Sequence, residues 1–328
     1  MSQHSFTCIQ QLDLAITQLE EGSPSYARFA LILIDNIVEL LIHKYCEHIV
    51  MMDEHSSRWL PAQYSVKQRE DARGQRFDRK VKLCKFAGKF TDDQAAEIII
   101  LHQYRNEQYH TGLTNDDVIW DLAWHYHQIA TKCFVDLVTM YSLVSSTVMT
   151  PAVEKHAGKN AERLMMRLDE IAESLNSSKP PRRRKLQVAL SELAIKKVED
   201  MEYNLDFLVT NDPNERPELE CVVDLQFYDY LHGEELPKLM WGKVKTPEDA
   251  QRAMAFLKNT WTPKYSTSPL SGFRAQAKKM ASCKNEVSCL KSFEKFKADI
   301  NYFEGILERE AIALDGHIQQ QIDEYRGK

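Results

Sequence analysis

The chain has 328 residues, 43% of them hydrophobic and 27% charged, with 11 glycines and 11 prolines. That length suits two domains better than one small core, and scarce Gly and Pro leave long stretches that favour helices over a sandwich of short strands. A net charge of -6 excludes a generally basic nucleic-acid binder, so any nucleic-acid site has to be a local basic patch.

In chain order, residues 8–21 predict an amphipathic helix with Ile9, Leu12, Ile16 and Leu19 on one stripe. Gly22 and Pro24 end it. The segment 26–52 follows, apolar on most sides, as expected of a helix at the centre of a bundle. Residues 66–89 predict one strongly basic helix with Phe77, Val81 and Cys84 on its inner stripe. Thr91-Asp92-Asp93 can cap a helix over 92–110, Thr111-Gly112 closes it, and a long helix is expected over 115–148. Residues 1–150 therefore predict a self-contained bundle of about five helices.

Pro151 opens a second section: a helix over 152–175, then a linker whose basic run Arg182–Lys185 reads as solvated. The remainder, 186–328, predicts a second, mostly helical domain. It contains a helix near 186–209, a segment 219–232 compatible with a short strand or a helix, and a helix opened by Pro247. A loop over 262–272 and a long helix near 286–325 complete it. The fold class expected is all-α.

The seven cysteines are irregularly spaced and include no CxxC pair, so neither a disulfide framework nor a zinc site is predicted. The first residues have no basic region leading into an apolar core. The most apolar run, Phe29 to Ile42, is interrupted by Asp35, Asn36 and Glu39 and is too short to span a bilayer. A cytoplasmic protein with no membrane association is expected.

The segment that carries chemistry is Arg105-Asn106-Glu107-Gln108-Tyr109-His110, followed by Thr111-Gly112. On a regular helix Arg105 and His110 stand about 140° apart, whereas Asn106 shares a face with His110 and Arg105 with Tyr109. Asn106 can thus position the imidazole from one turn below. Histidine suits proton transfer near neutral pH, and the planar arginine fork suits phosphate oxygens. Asp35 and Glu39, on one face of the apolar helix, are candidates to orient Arg105, favoured over Asn36. His102, one turn before Arg105, reads as a surface histidine. His125 and His127 lie about 200° apart on a helix and do not suit a shared metal.

This segment resembles the HEPN ribonucleases, in which Arg, a polar residue, a short spacer and His lie near a helix end. The resemblance covers about the first 150 residues and is carried by Arg105, Asn106 and His110 as catalytic residues, with Asp35, Glu39 and Tyr109 in support. It implies a metal-independent endoribonuclease, without cofactor, that uses the RNA 2′-OH as nucleophile and completes its site in a homodimer. The role implied is that of a toxin-like or defence effector, restrained by an antitoxin or other regulatory protein. The alternative is a non-catalytic HEPN-like helical module that binds a nucleotide or a protein partner. The segment 67–89 carries nine basic and three acidic residues. Arg73, Arg76, Arg79 and Lys80 are its candidates for contact with an RNA backbone.

Overall fold

The computed structural model describes residues 3–111, 116–138, 150–158, 168–178, 184–232 and 246–327. Every element among them is a helix, and no strand occurs among the described residues. The chain divides into two compact units, Met1–Leu193 with Cys283–Lys291, and Ala194–Ser282 with Ser292–Lys328.

The first unit opens with α1 (Gln3–Glu20) and α2 (Pro24–Ser56). The α1 stripe Ile9, Leu12, Ile16 and Leu19 is buried, as its spacing predicts. Gly22, at φ +69°, supplies the left-handed residue that ends α1, and Pro24 starts α2 where a missing N–H costs nothing. The central helix is α2. It packs against α1, α3 (Val66–Arg73), α4 (Phe77–Phe86), α5 (Asp92–Thr111) and α6 (Asp116–Leu137), which explains why it is apolar almost all round.

The single basic helix expected over 66–89 is two. Gly74 adopts an extended conformation after α3, and Arg76, also extended, opens α4. A Cβ at Gly74 would lie 3.3 Å from the Glu70 carbonyl. Ser65 and Gln68 cap α3 reciprocally, and Thr91 and Gln94 do the same for α5. Val81 and Cys84 face the core, and Phe77 is half-buried.

The boundary expected at 150 falls later. The segment read as one helix over 152–175 contains α7 (Pro151–Ala157) and α8 (Leu168–Leu175), and both pack on α1. His156 of α7 bonds Asp13 of α1 (Nε2 to Oδ1, 2.7 Å) and Ser174 of α8 (Nδ1 to Oγ, 2.9 Å). This section therefore extends the first bundle. Residues 139–148 of the predicted long helix, and Arg182 and Arg183 of the basic linker, lie outside the described residues.

The second unit is built from most of α9 (Leu186–Thr210) with α10 (Glu218–His232), α11 (Pro247–Thr260), α12 (Leu270–Met280) and most of α13 (Glu286–Tyr325). The segment 219–232 is a helix. Its buried positions Val222, Gln226, Phe227 and Leu231 follow helical spacing, but the glutamine breaks the apolar pattern. Gln226 is buried because its amide closes two bonds with the Tyr265 backbone, 2.8 and 2.9 Å. The expected loop 262–272 ends early, since α12 begins at Leu270. Ser271 and Gly272 read as loop by composition, and burial of Leu270, Phe273, Ala277 and Met280 on one face overrides them.

Among the described residues no helix is long and apolar enough to cross a membrane. The seven cysteines are free thiols, and Cys46 and Cys84 face one another at 3.7 Å between sulfurs.

Candidate functional site

Three residues at spacings of three and four, His102, Arg105 and Asn106, project from α5 toward α2. Arg105 donates from Nε to Asp35 Oδ2 at 2.6 Å and from Nη1 to Asn106 Oδ1 at 2.8 Å, while Nη2 meets Glu39 Oε1 at 3.3 Å and also closes on Asp35. Asp35 is fully buried and additionally accepts from the Tyr126 hydroxyl of α6 at 2.8 Å and from His102 Nδ1 at 3.1 Å. A buried carboxylate needs such partners, because desolvation alone would cost several kcal/mol.

These bonds determine the state of His102. Arg105 Nη1 can only donate, so Asn106 turns its oxygen to Arg105 and its NH2 to His102 Nε2, 3.1 Å away. His102 Nε2 therefore accepts, and the proton resides on Nδ1, facing Asp35 and Glu39. The His102 ring lies 4.1 Å from that of Phe77, centroid to centroid, and its side chain is only 15% exposed. It is not a surface histidine. Its spacing from Arg105 and Asn106 placed all three on one face, but no sequence signal revealed that this face turns inward. Tyr126, in an apolar helix, gave no signal either.

Glu39 is the open side of the cluster, its side chain 37% exposed. Burial and the neighbouring Asp35 push its carboxyl above the usual range, against the pull of His102 and Arg105. Burial and Asp35 also raise the Tyr126 phenol well above its ordinary value, so it stays a donor.

Asp35, Glu39 and His102 bring three potential metal-ligating atoms within 4.8 Å of one another. The sequence showed no metal-ligand cluster beside the motif; the fold assembles this one from two helices. Its donor set is committed to another cation. The guanidinium of Arg105 occupies both carboxylates, and the His102 nitrogen nearest them carries a proton.

The side chains of Tyr109 and His110 lie outside the described ones, although both residues belong to α5. Asn106 keeps one amide hydrogen beyond its bond to His102. Tyr104, beside the motif, is 4% exposed and offers little apolar area to a dimer contact; Trp120 is half-buried and donates to the Leu19 carbonyl at 2.9 Å.

The basic candidates are paired. Arg73 reaches Glu54 at 2.6 Å, Arg76 reaches Asp78 at 3.2 Å and Arg79 reaches Asp71 at 2.5 Å. Lys80 is buried and donates to His43 Nδ1 at 2.8 Å, which removes it from the surface an RNA would meet. Burial and Lys80 hold the His43 imidazole below its usual value, so it accepts. Glu54 and Asp92 come from outside 67–89, which is why the segment's charge imbalance overstates the field it presents.

Comparison with protein-family models, with curated proteins and with solved structures finds no match to this chain.

Proposed function

We propose that the chain is a metal-independent endoribonuclease whose reacting groups are Arg105 and His110, with Asn106 positioning the imidazole. The observation that carries the reading is the guanidinium of Arg105, held on two carboxylates and Asn106 near the end of α5, five residues before His110. A cation fixed in this way loses little entropy on binding a phosphate, and its open side is where Glu39 is half-exposed. Glu39 is the partner that a phosphate oxygen would displace.

In this mechanism one His110 takes the proton from the RNA 2′-OH, whose oxygen attacks the adjacent phosphorus. Arg105 stabilises the phosphorane charge, and a second His110 protonates the departing 5′-oxygen. The products are a 2′,3′-cyclic phosphate and a 5′-OH. Two histidines require a homodimer with the ends of α5 facing across a twofold axis. With Tyr104 buried, the apolar area for that association has to come from elsewhere. Phe29 and Ile32 are exposed on α2, and Ile32 lies on the helical stripe that carries Glu39. RNA contact by Arg73, Arg76 or Arg79 requires each to exchange a carboxylate for a phosphate.

A toxin-like or defence role, held in check by an antitoxin or other regulatory protein in the cytoplasm, completes the reading and rests on the family resemblance. The second unit would serve sensing or partner binding. The test is incubation of purified protein with total RNA beside the His110→Ala variant. Fragmentation by the parent chain and none by the variant supports the reading; intact RNA in both, at micromolar enzyme over hours, overturns it.

A further inference from the structure

The helix α6 has two working sides. Tyr126 turns toward α2 and Asp35, and Trp124, two residues earlier, points about 200° away on a regular helix. Trp120, Trp124 and Gln128 form the stripe on that second side, at spacings of four. They line a cavity of about 450 Å³ in the first unit, closed by the residues that begin α9 and by Lys284 just before α13. This volume lies in the range of small-ligand sites.

Most polar groups around the cavity are already satisfied. Arg184 donates twice to Asp121 Oδ2, at 3.0 and 2.7 Å, and once to Glu192 at 2.8 Å. His125 Nε2 lies 2.7 Å from Glu97, and the Trp120 indole N–H has the Leu19 carbonyl. Trp124 and Gln187 differ. Trp124, 7% exposed, lines the cavity, and its indole N–H has no hydrogen-bond partner; the buried Gln187 Oε1 has none either. A buried donor without an acceptor carries a desolvation penalty that an entering acceptor would relieve. At the rim Lys185 and Lys284 are exposed, with Glu286 as the acidic residue near them. Asp121 and Glu192 engage the Arg184 guanidinium, which leaves Lys185 and Lys284 as the cations at the mouth that can meet an anion.

Trp120 and Trp124 meet edge to face, centroids 5.9 Å apart, and form one aromatic wall for a planar ring; the Trp124 N–H asks for an acceptor, and two ammonium groups at the mouth suit a phosphate. We propose that this cavity is a binding site for a nucleoside monophosphate, with the base against the tryptophan pair and the phosphate on Lys185 and Lys284. The site is separate from the Arg105 network and does not depend on the ribonuclease reading. A mononucleotide has no internucleotide bond to cleave, and His110→Ala should bind it as the parent chain does.

The experiment is calorimetric titration of the full chain with each ribonucleoside 5′-monophosphate, beside the matching nucleoside and inorganic phosphate. At least one nucleotide should saturate with Kd below about 1 mM, with its nucleoside and phosphate each weaker by about ten-fold or more. The exposed pair Lys185→Ala with Lys284→Ala should weaken binding by about ten-fold, and Trp124→Phe, which keeps a ring and removes the N–H, by about five-fold or more. If Trp124→Phe lowers the melting temperature, the lysine pair decides. Absence of saturation by all four nucleotides up to about 10 mM, or phosphate binding as tightly as the nucleotides, or no effect of the lysine pair, overturns the proposal.

Discussion

Asp35 is a carboxylate cut off from solvent, and its neighbours satisfy its oxygens. Arg105, His102 and the Tyr126 hydroxyl all donate to it. Arg105→Ala would leave that charge without its cation, and breaking a buried pair from one side typically costs about 3–5 kcal/mol. Two donors remain, so urea denaturation should show a loss near the lower end, about 3 kcal/mol. A loss within about 0.5 kcal/mol would mean that Arg105 sits at a solvated helix end instead. Arg105→Lys keeps the charge but not the fork, so it should recover stability better than phosphate binding. The acidic pair was legible in the sequence because Asp35 and Glu39 are costly guests in an apolar helix. The role of His102 was not, since a histidine four residues before an asparagine looks the same on an exposed face as on a buried one.

At the scale of elements, apolar patterning and capping residues revealed α2, α5 and α9 nearly to their ends, whereas α1 starts five residues before the expected helix. It failed where backbone or tertiary context decides. Gly74 splits the basic segment, buried Gln226 hid a helix, and Ser271-Gly272 disguised the start of α12. The connection from α2 to α3 depends on another buried acid. Asp53 accepts from the Gln63 and Tyr64 backbone at 2.7 and 3.2 Å and from Arg69 at 3.1 and 2.7 Å. Burial opposes its ionisation, but these donors outweigh it and hold the carboxyl below its usual value. A depressed carboxylate stabilises above its unfolded pKa, and that contribution fades as pH falls through the folded one. Asp53→Ala should therefore cost about 2–3 kcal/mol at pH 7 and much less in strong acid. Equal losses at both pH values would contradict this assignment.

For the whole molecule, the all-helical class was legible, whereas the division into units was not. Residues 283–291 return to the first unit, a long-range contact that no local pattern encodes. Acid stability is a property of the assembled bundle. Burial pushes the His127 imidazole down to about 4. An unfolded histidine takes up its proton near pH 6.5, so between that value and 4 the unfolded chain binds more protons and acidification destabilises the fold. The contribution is on the order of 3 kcal/mol across the window. The urea midpoint of the parent chain should fall from pH 7 to 5 by more than that of His127→Leu. Parallel behaviour of the two would place the acid sensitivity elsewhere.

In the proposed reaction a 2′-OH, and not a metal-bound water, attacks the phosphate. This is tested by one oligoribonucleotide that the protein cuts, compared in excess EDTA with the same oligomer carrying a single 2′-deoxy sugar on the 5′ side of the cut. With the 2′-OH as nucleophile, the all-ribose strand is cut undiminished to a 2′,3′-cyclic phosphate and a 5′-OH, and the deoxy position is not cut. Cleavage at the deoxy position, or loss of cleavage in EDTA restored by added divalent metal, would contradict that role.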